Sequence, residues 1–322
     1  MEITLSEDDI KYAKTFFPFM AARTFTAIQN EQKFVHYCDA DAALSMIEKG
    51  ELWLRNTTWM NDTSEIEHGT KLLISAYSTA PGLELRKRLN TEWPGFTERF
   101  EPVFSSWFEH WRQETYIACL TELLPKEDVI GRLSMWRAYG KGSSPVAFVV
   151  NGGPMLRPSD ALKAYTSAVA YLDQQEFDEQ FAVLVENIVG DWEYIKRIGQ
   201  DATFNSLFAA FRFAVICTKH PSFYEEREWR IIYQPTFQPS DRLIEDVKSI
   251  AGAPQRIFKI PMKEYPEEGF YGATLPDLLV RIIIGPGPNA SNLYREFVRF
   301  LGKAGVSNAI DKVVVSNVPL RT

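Results

Sequence analysis

Apolar positions recur at three- and four-residue spacing over most of the chain and give way at a few places to the two-residue alternation of strands. Residues 1–32 read as a helical lead-in, with Ile10, Tyr12, Ala13, Phe16 and Phe17 apolar and Pro18 interrupting. Residues 33–38 read as a short strand. Asp39 or Asp41 then caps a helix whose buried side is Ala42, Ala43, Leu44, Met46 and Ile47. Gly50 stops that helix from the position just past its end, where glycine is favoured, and residues 52–54 form a second strand. The unit is strand, capped helix, glycine, strand.

Residues 65–114 carry helical spacing, from Ile66, Leu72 and Leu73 to Phe104, Trp107 and Trp111, with Pro81, Pro94 and Pro102 marking ends or kinks. A compact apolar strand follows at 116–120, then a polar loop at 123–132 and another strand at 145–150. A strand over 164–172 precedes a second helical region, 174–218, in which Phe177, Phe181, Leu184, Val185 and Ile188 recur at helical intervals. Later strands are expected at 256–260, 279–284 and 313–316, with a helix over 292–303. The pattern holds no repeat, no low-complexity linker and no composition break. It predicts one α+β domain over 1–322, with a mixed or split central β-sheet, a large helical insertion at 65–114 and flanking helices.

The densest chemistry lies in residues 223–233. The tail Trp229-Arg230-Ile231-Ile232-Tyr233 is aromatic and β-branched, which favours a strand. Alternation would set Glu226, Glu228, Arg230 and Ile232 on one face. Ionisable groups in a row on an otherwise apolar strand are costly to bury unless paired. Two arrangements satisfy that demand: an edge strand in which Arg230 pairs with a carboxylate, or a carboxylate aimed into a cleft beside an arginine.

Composition narrows the setting. A chain of 322 residues can bury a large core. No apolar run is long enough to span a membrane, and residues 1–9 are acidic rather than signal-like. Cys38, Cys119 and Cys217 are far apart and odd in number, which argues for a reducing compartment and against a disulfide framework. A cytoplasmic protein is the expectation. The net charge of −7 disfavours wholesale coating of nucleic acid, though it leaves room for a local basic patch.

Several motifs are weighed and set aside. Asp62, Glu65 and His68 would follow one side of a helix, but with neither a second histidine nor a cysteine pair no metal is expected. Asn61-Asp62 reads as a cap and loop. Residues 285–288 are rich in glycine yet lack the Lys-Ser/Thr of a phosphate loop, so they read as a turn. Cys119, inside an apolar strand, reads as an inert thiol. His36 stands near a strand end beside Tyr37, where a structural histidine and a cleft histidine are both consistent with its place.

Four blocks resemble a family of bacterial proteins known as domain-of-unknown-function family 2971. They are Val35-His36-Tyr37 with its helix to Gly50 and on to Trp53; Met60-Asn61-Asp62 with Glu65; Met135-Trp136-Arg137-Ala138-Tyr139-Gly140; and Tyr224-Glu225-Glu226-Arg227-Glu228-Trp229-Arg230. Ile283-Ile284-Gly285-Pro286 is a weaker echo. The chain departs at Thr63, where members carry proline after the aspartate. The opening unit also looks like that of ADP-ribosyltransferase folds. That likeness implies His36 holding the ribose of NAD as substrate, Glu228 as the catalytic carboxylate and Glu226 as its partner. Tyr37, Trp53, Trp59 or Tyr139 would pack on nicotinamide, and Arg137 or Arg230 would bind pyrophosphate. It implies ADP-ribosyl transfer or NAD glycohydrolysis, in a bacterial defence or toxin setting, with a protein or nucleic acid as acceptor. The alternative is a non-catalytic module that senses a nucleotide or nucleic acid, with Glu228 and Arg230 a structural pair. Under the first reading, His36, Glu228 and an aromatic line a single pocket.

Overall fold

The computed structural model describes residues 3, 5–60, 63–139 and 144–319. The helical lead-in is two helices, α1 (Glu7–Phe16) and α2 (Pro18–Gln29). Pro18 opens α2 rather than breaking a helix, because the first turn has no use for its missing N–H. The unit read at residues 33–54 forms as β1 (Lys33–Asp39), α3 (Ala40–Lys49) and β2 (Glu51–Asn56). Asp39 caps α3 by accepting from the Ala42 amide at 2.7 Å, and Gly50 ends it in the left-handed region at φ 60°.

The insertion is α4 (Thr63–Tyr77), α5 (Ala80–Glu92), α6 (Phe96–Ser106) and α7 (Phe108–Glu114). Pro81 opens α5, whereas Pro102 lies inside α6. After β3 (Tyr116–Glu122) come α8 (Leu133–Tyr139), β4 (Pro145–Asn151), β5 (Tyr165–Ala168) and β6 (Ala170–Tyr171). The second helical region is α9 (Gln174–Gly190), α10 (Trp192–Ile198) and α11 (Gln200–Ile216). Aromatic side chains from α6, α7 and α11 interlock there: Phe104 packs edge-on against Trp111, Phe208 and Phe211.

The remainder is β7 (Thr218–Lys219), β8 (Glu228–Tyr233), β9 (Ile244–Ile250), β10 (Ala253–Pro261), β11 (Leu279–Ile284), α12 (Ala290–Lys303) and β12 (Val313–Val315). Ten strands form one mixed sheet in the order β12-β11-β4-β1-β3-β2-β10-β9, with β8 and β5 branching from β3. Only β11 and β12 run parallel among its described pairings. The sheet is split where it matters. β8 pairs with β3 from Tyr116 to Thr121, and the other edge of β3 is shared. β1 takes one end through Phe34↔Glu122 and Val35↔Thr121, and β2 takes the other through Arg55↔Ile117 and Asn56↔Tyr116. Between them the two strands diverge, one toward β4 and the other toward β10.

Candidate functional site

β8 is an internal strand, paired with β3 on one side and β5 on the other, which corrects the edge-strand expectation. Paired residues in an antiparallel ladder share a face. Glu228 and Arg230 stand opposite Thr121 and Cys119, so all four share one face of the sheet. The expected run of four is broken at its start: Arg227 adopts a left-handed conformation at φ 46°, and Glu226 ends a 3-10 turn, Pro221–Glu226.

Glu226 nevertheless reaches the same cluster. Lys219 Nζ lies 2.7 Å from Glu65, 2.7 Å from Glu226 and 2.9 Å from Glu228. Arg230 donates from Nε to Glu228 Oε1 at 2.8 Å, from Nη2 to Glu65 and from Nη1 to the Ile216 carbonyl. The Tyr171 hydroxyl accepts from the Glu228 amide at 2.8 Å. Arg230 and Lys219 are fully enclosed and Glu228 is 5% exposed, whereas the Glu226 side chain is 33% exposed. These three carboxylates and two cations leave one net negative charge. Burial works against an ionised Glu228, but Arg230 and Lys219 outweigh it and hold the carboxyl down at about 2. Burial also opposes charge on Lys219, and Glu228 and Glu65 more than restore it, so both partners stay ionised.

His36 is not part of this cluster. Val35 pairs with Thr121, so Val35 and Tyr37 share the Glu228 face, and His36 points from the other. It lies in an apolar pocket with Met46, Leu120, Phe148 and Ile231. Its Nδ1 is 3.0 Å from the Cys119 carbonyl, which sits in the stretch of β3 that the split leaves without a strand partner on that edge. A carbonyl only accepts, so Nδ1 carries the proton and the ring closes the ladder in place of a strand. Burial pushes its pKa below the usual 6.5. The expected convergence of His36 with Glu228 is therefore corrected: they stand on opposite faces.

The remaining expectations divide. Tyr37 is buried, accepts from the Arg132 amide at 2.8 Å and packs edge-on against Trp136. Trp136 is itself buried and donates to the Ile130 carbonyl, so both serve packing first. Tyr139 stacks beside Tyr37 with centroids 6.4 Å apart, yet is 42% exposed. Burial of its phenol raises its pKa, and Cys119, Glu228 and Glu226 add to that, so the phenol lies within electrostatic reach of the ion cluster. Trp53 bonds to Glu51 on the Glu228 face, while Trp59 is exposed. Arg137 is exposed on the last turn of α8. Arg230 has no free fork for pyrophosphate, which corrects that role. Glu65 joins the cluster, and His68 turns to the Leu172 carbonyl at 3.2 Å. Asn61, Asp62 and Gly140 lie outside the described residues.

Lys219 and Tyr171 are the residues that sequence reasoning missed. Each lies in a two-residue strand, too short to carry an alternation signal.

The chain is thus a mixed α+β protein organised around a split sheet, with an ion cluster on one face that is buried except at Glu226. Residues 135–231 match the model of a family described as a protein of unknown function (DUF2971), which bears out the resemblance to family 2971 and does not bear on the likeness to ADP-ribosyltransferase folds; the third and fourth blocks lie within that segment. No curated protein and no solved structure matches the chain.

Proposed function

We propose that the chain is a non-catalytic nucleotide-binding module whose ligand sits on the Glu228 face, and that the ligand is the nicotinamide riboside end of NAD. The observation that carries the choice of binding over transfer is the engagement of Glu228. Both of its oxygens are held, one by Arg230 and one by Lys219, and its histidine counterpart is across the sheet. A catalytic carboxylate must face the cation it stabilises. What supports a nicotinamide ligand is charge and shape together. The cluster keeps one net negative charge, the nicotinamide ring of NAD is a cation, and Tyr139 presents a half-exposed ring beside the cluster. Opposite unit charges some 5 Å apart at an effective dielectric near 20 attract by about 3 kcal/mol.

A second reading has an observation of its own. Glu226 is the one carboxylate of the three that reaches solvent, so ribosyl transfer or NAD glycohydrolysis with Glu226 facing the ribose cation fits the same cluster. Calorimetry with NAD, run beside an assay for released nicotinamide on the folded protein, separates the two. Heat without nicotinamide supports the module; heat with nicotinamide that Glu226→Gln abolishes supports the transferase. The absence of heat at millimolar NAD overturns both.

A further inference from the structure

A cavity of about 830 Å³ opens at the β5 end of the sheet, between α1 and α2 on one side and α11 on the other. Its walls are largely aromatic and apolar, among them Tyr12, Phe17, Met20, Phe208 and Phe237. Two cations line it: Arg157, half-buried over the Tyr271 ring, and Arg212, the more deeply enclosed. Arg212 on α11 is only 7% exposed, and its guanidinium, which lines the cavity, has no hydrogen bond or ion pair to any described residue. Its neighbours are rings: Phe237 at 4.3 Å and Phe213 at 5.1 Å. Ring faces attract a guanidinium but do not neutralise it.

The other arginines as deeply enclosed, Arg132 and Arg230, are each paired with carboxylate: Arg132 with Glu127, Arg230 with Glu65 and Glu228. The two acids in the cavity wall are committed elsewhere. Asp9 caps α1 with Ser6, and Asp160 accepts from Tyr165 at 2.8 Å and pairs with Lys163. Burial pushes Arg212 down to about 10, which leaves it charged at neutral pH. A buried charge without a partner is costly to the fold, so its retention calls for a partner that the chain does not supply. The volume suits a ligand of small-molecule size.

We infer that this cavity binds a small organic anion, an aromatic body carrying a single carboxylate or phosphate, with the anionic head on Arg212 and the body against the stacked rings of Phe208 and Phe237. The site is separate from the Glu228 cluster and does not depend on the function proposed for it.

Phenylacetate and phenyl phosphate are the probes, with phenylacetamide as the uncharged control. Binding is followed by calorimetry and by the fluorescence of Trp107 and Trp229, which line the cavity. At least one anion binds the wild type at millimolar concentration and the amide does not; which anion binds identifies the head group. Arg212→Met weakens that binding by about 30-fold, the cost of one charge-assisted hydrogen bond. Arg212→Lys recovers part of it. Without ligand, Arg212→Met melts at the wild-type temperature or above, because it removes an unpaired buried charge. Three results overturn the inference: neither anion binds, Arg212→Met binds as tightly as wild type, or Arg212→Met lowers the melting temperature sharply and so shows a structural guanidinium.

Discussion

Arg230 donates from Nε to Glu228 Oε1 at 2.8 Å, a bond between two residues on one face of one strand, with both side chains sealed from solvent. The pair is closed further by Lys219 and Glu65, so each charge in it is balanced by others of the same buried cluster. Removing one charge strands the others.

That geometry fixes the outcome of Glu228→Gln. The amide keeps the size but leaves Arg230 and Lys219 short of charge in a buried site, and the fold loses about 3–5 kcal/mol. Glu226→Gln costs well under half of that, because its carboxylate is part-solvated. Urea unfolding of both variants checks the order; equal losses would mean that the cluster is more open than its geometry states.

The same cluster sets the response to acid. Glu228 titrates near 2 in the folded chain against 4.5 for the free group. A carboxyl with a depressed folded pKa contributes stability in full above its unfolded value and loses it as pH falls toward the folded one. Stability therefore drops between about pH 4.5 and pH 2. Glu228→Gln, already destabilised, shows a shallower fall over that window. Melting temperatures at pH 5.5 and pH 3 for the two proteins test this, and parallel curves would remove Glu228 as the titrating group.

His36 makes a separate prediction. Its pKa is lowered by burial, so the unfolded chain takes up the proton first as pH falls through 6.5. The histidine contribution is therefore present above that value and is lost below it. His36→Ala leaves the Cys119 carbonyl without its partner at the split and costs about 1–3 kcal/mol. A proton-NMR titration shows the ring still neutral at pH 6.5 in the folded state; half-protonation there would contradict its burial.

What the sequence made legible was local. The cap at Asp39 or Asp41, which Asp39 takes, the stop at Gly50 and the alternation of Glu228 with Arg230 each depend on residues a few positions apart, and each forms. The face of β1 is another matter. Whether His36 or Tyr37 looks toward Glu228 is settled by the register of Val35 against Thr121, residues 86 apart along the chain, and no periodicity within β1 carries that information. Glu65 meets Arg230 across 165 positions for the same reason. The left-handed turn at Arg227 breaks the alternation between Glu226 and Glu228, and nothing in Glu-Glu-Arg-Glu announces it. β9 was not anticipated because its side chains are exposed or half-exposed throughout, so it carries no buried stripe to read.

The last prediction concerns Tyr139. Both functional readings place the nicotinamide ring near it, whereas a purely structural role would bind it to Tyr37. The ring is 42% exposed and its stacking on Tyr37 is at a centroid distance of 6.4 Å, long for a pair that holds a core together. Tyr139→Ala should therefore leave urea stability within about 1 kcal/mol of wild type. NAD affinity should fall by about 10-fold or more, since stacking a planar ring on an aromatic side chain contributes roughly 1–3 kcal/mol. Tyr139→Phe keeps the ring and removes the hydroxyl, so it should retain most of the affinity. Calorimetry and unfolding on the same three proteins decide the matter. If Tyr139→Ala unfolds the chain while Tyr139→Phe does not, the residue belongs to the core; if both bind NAD like wild type, the ligand does not lie on this face.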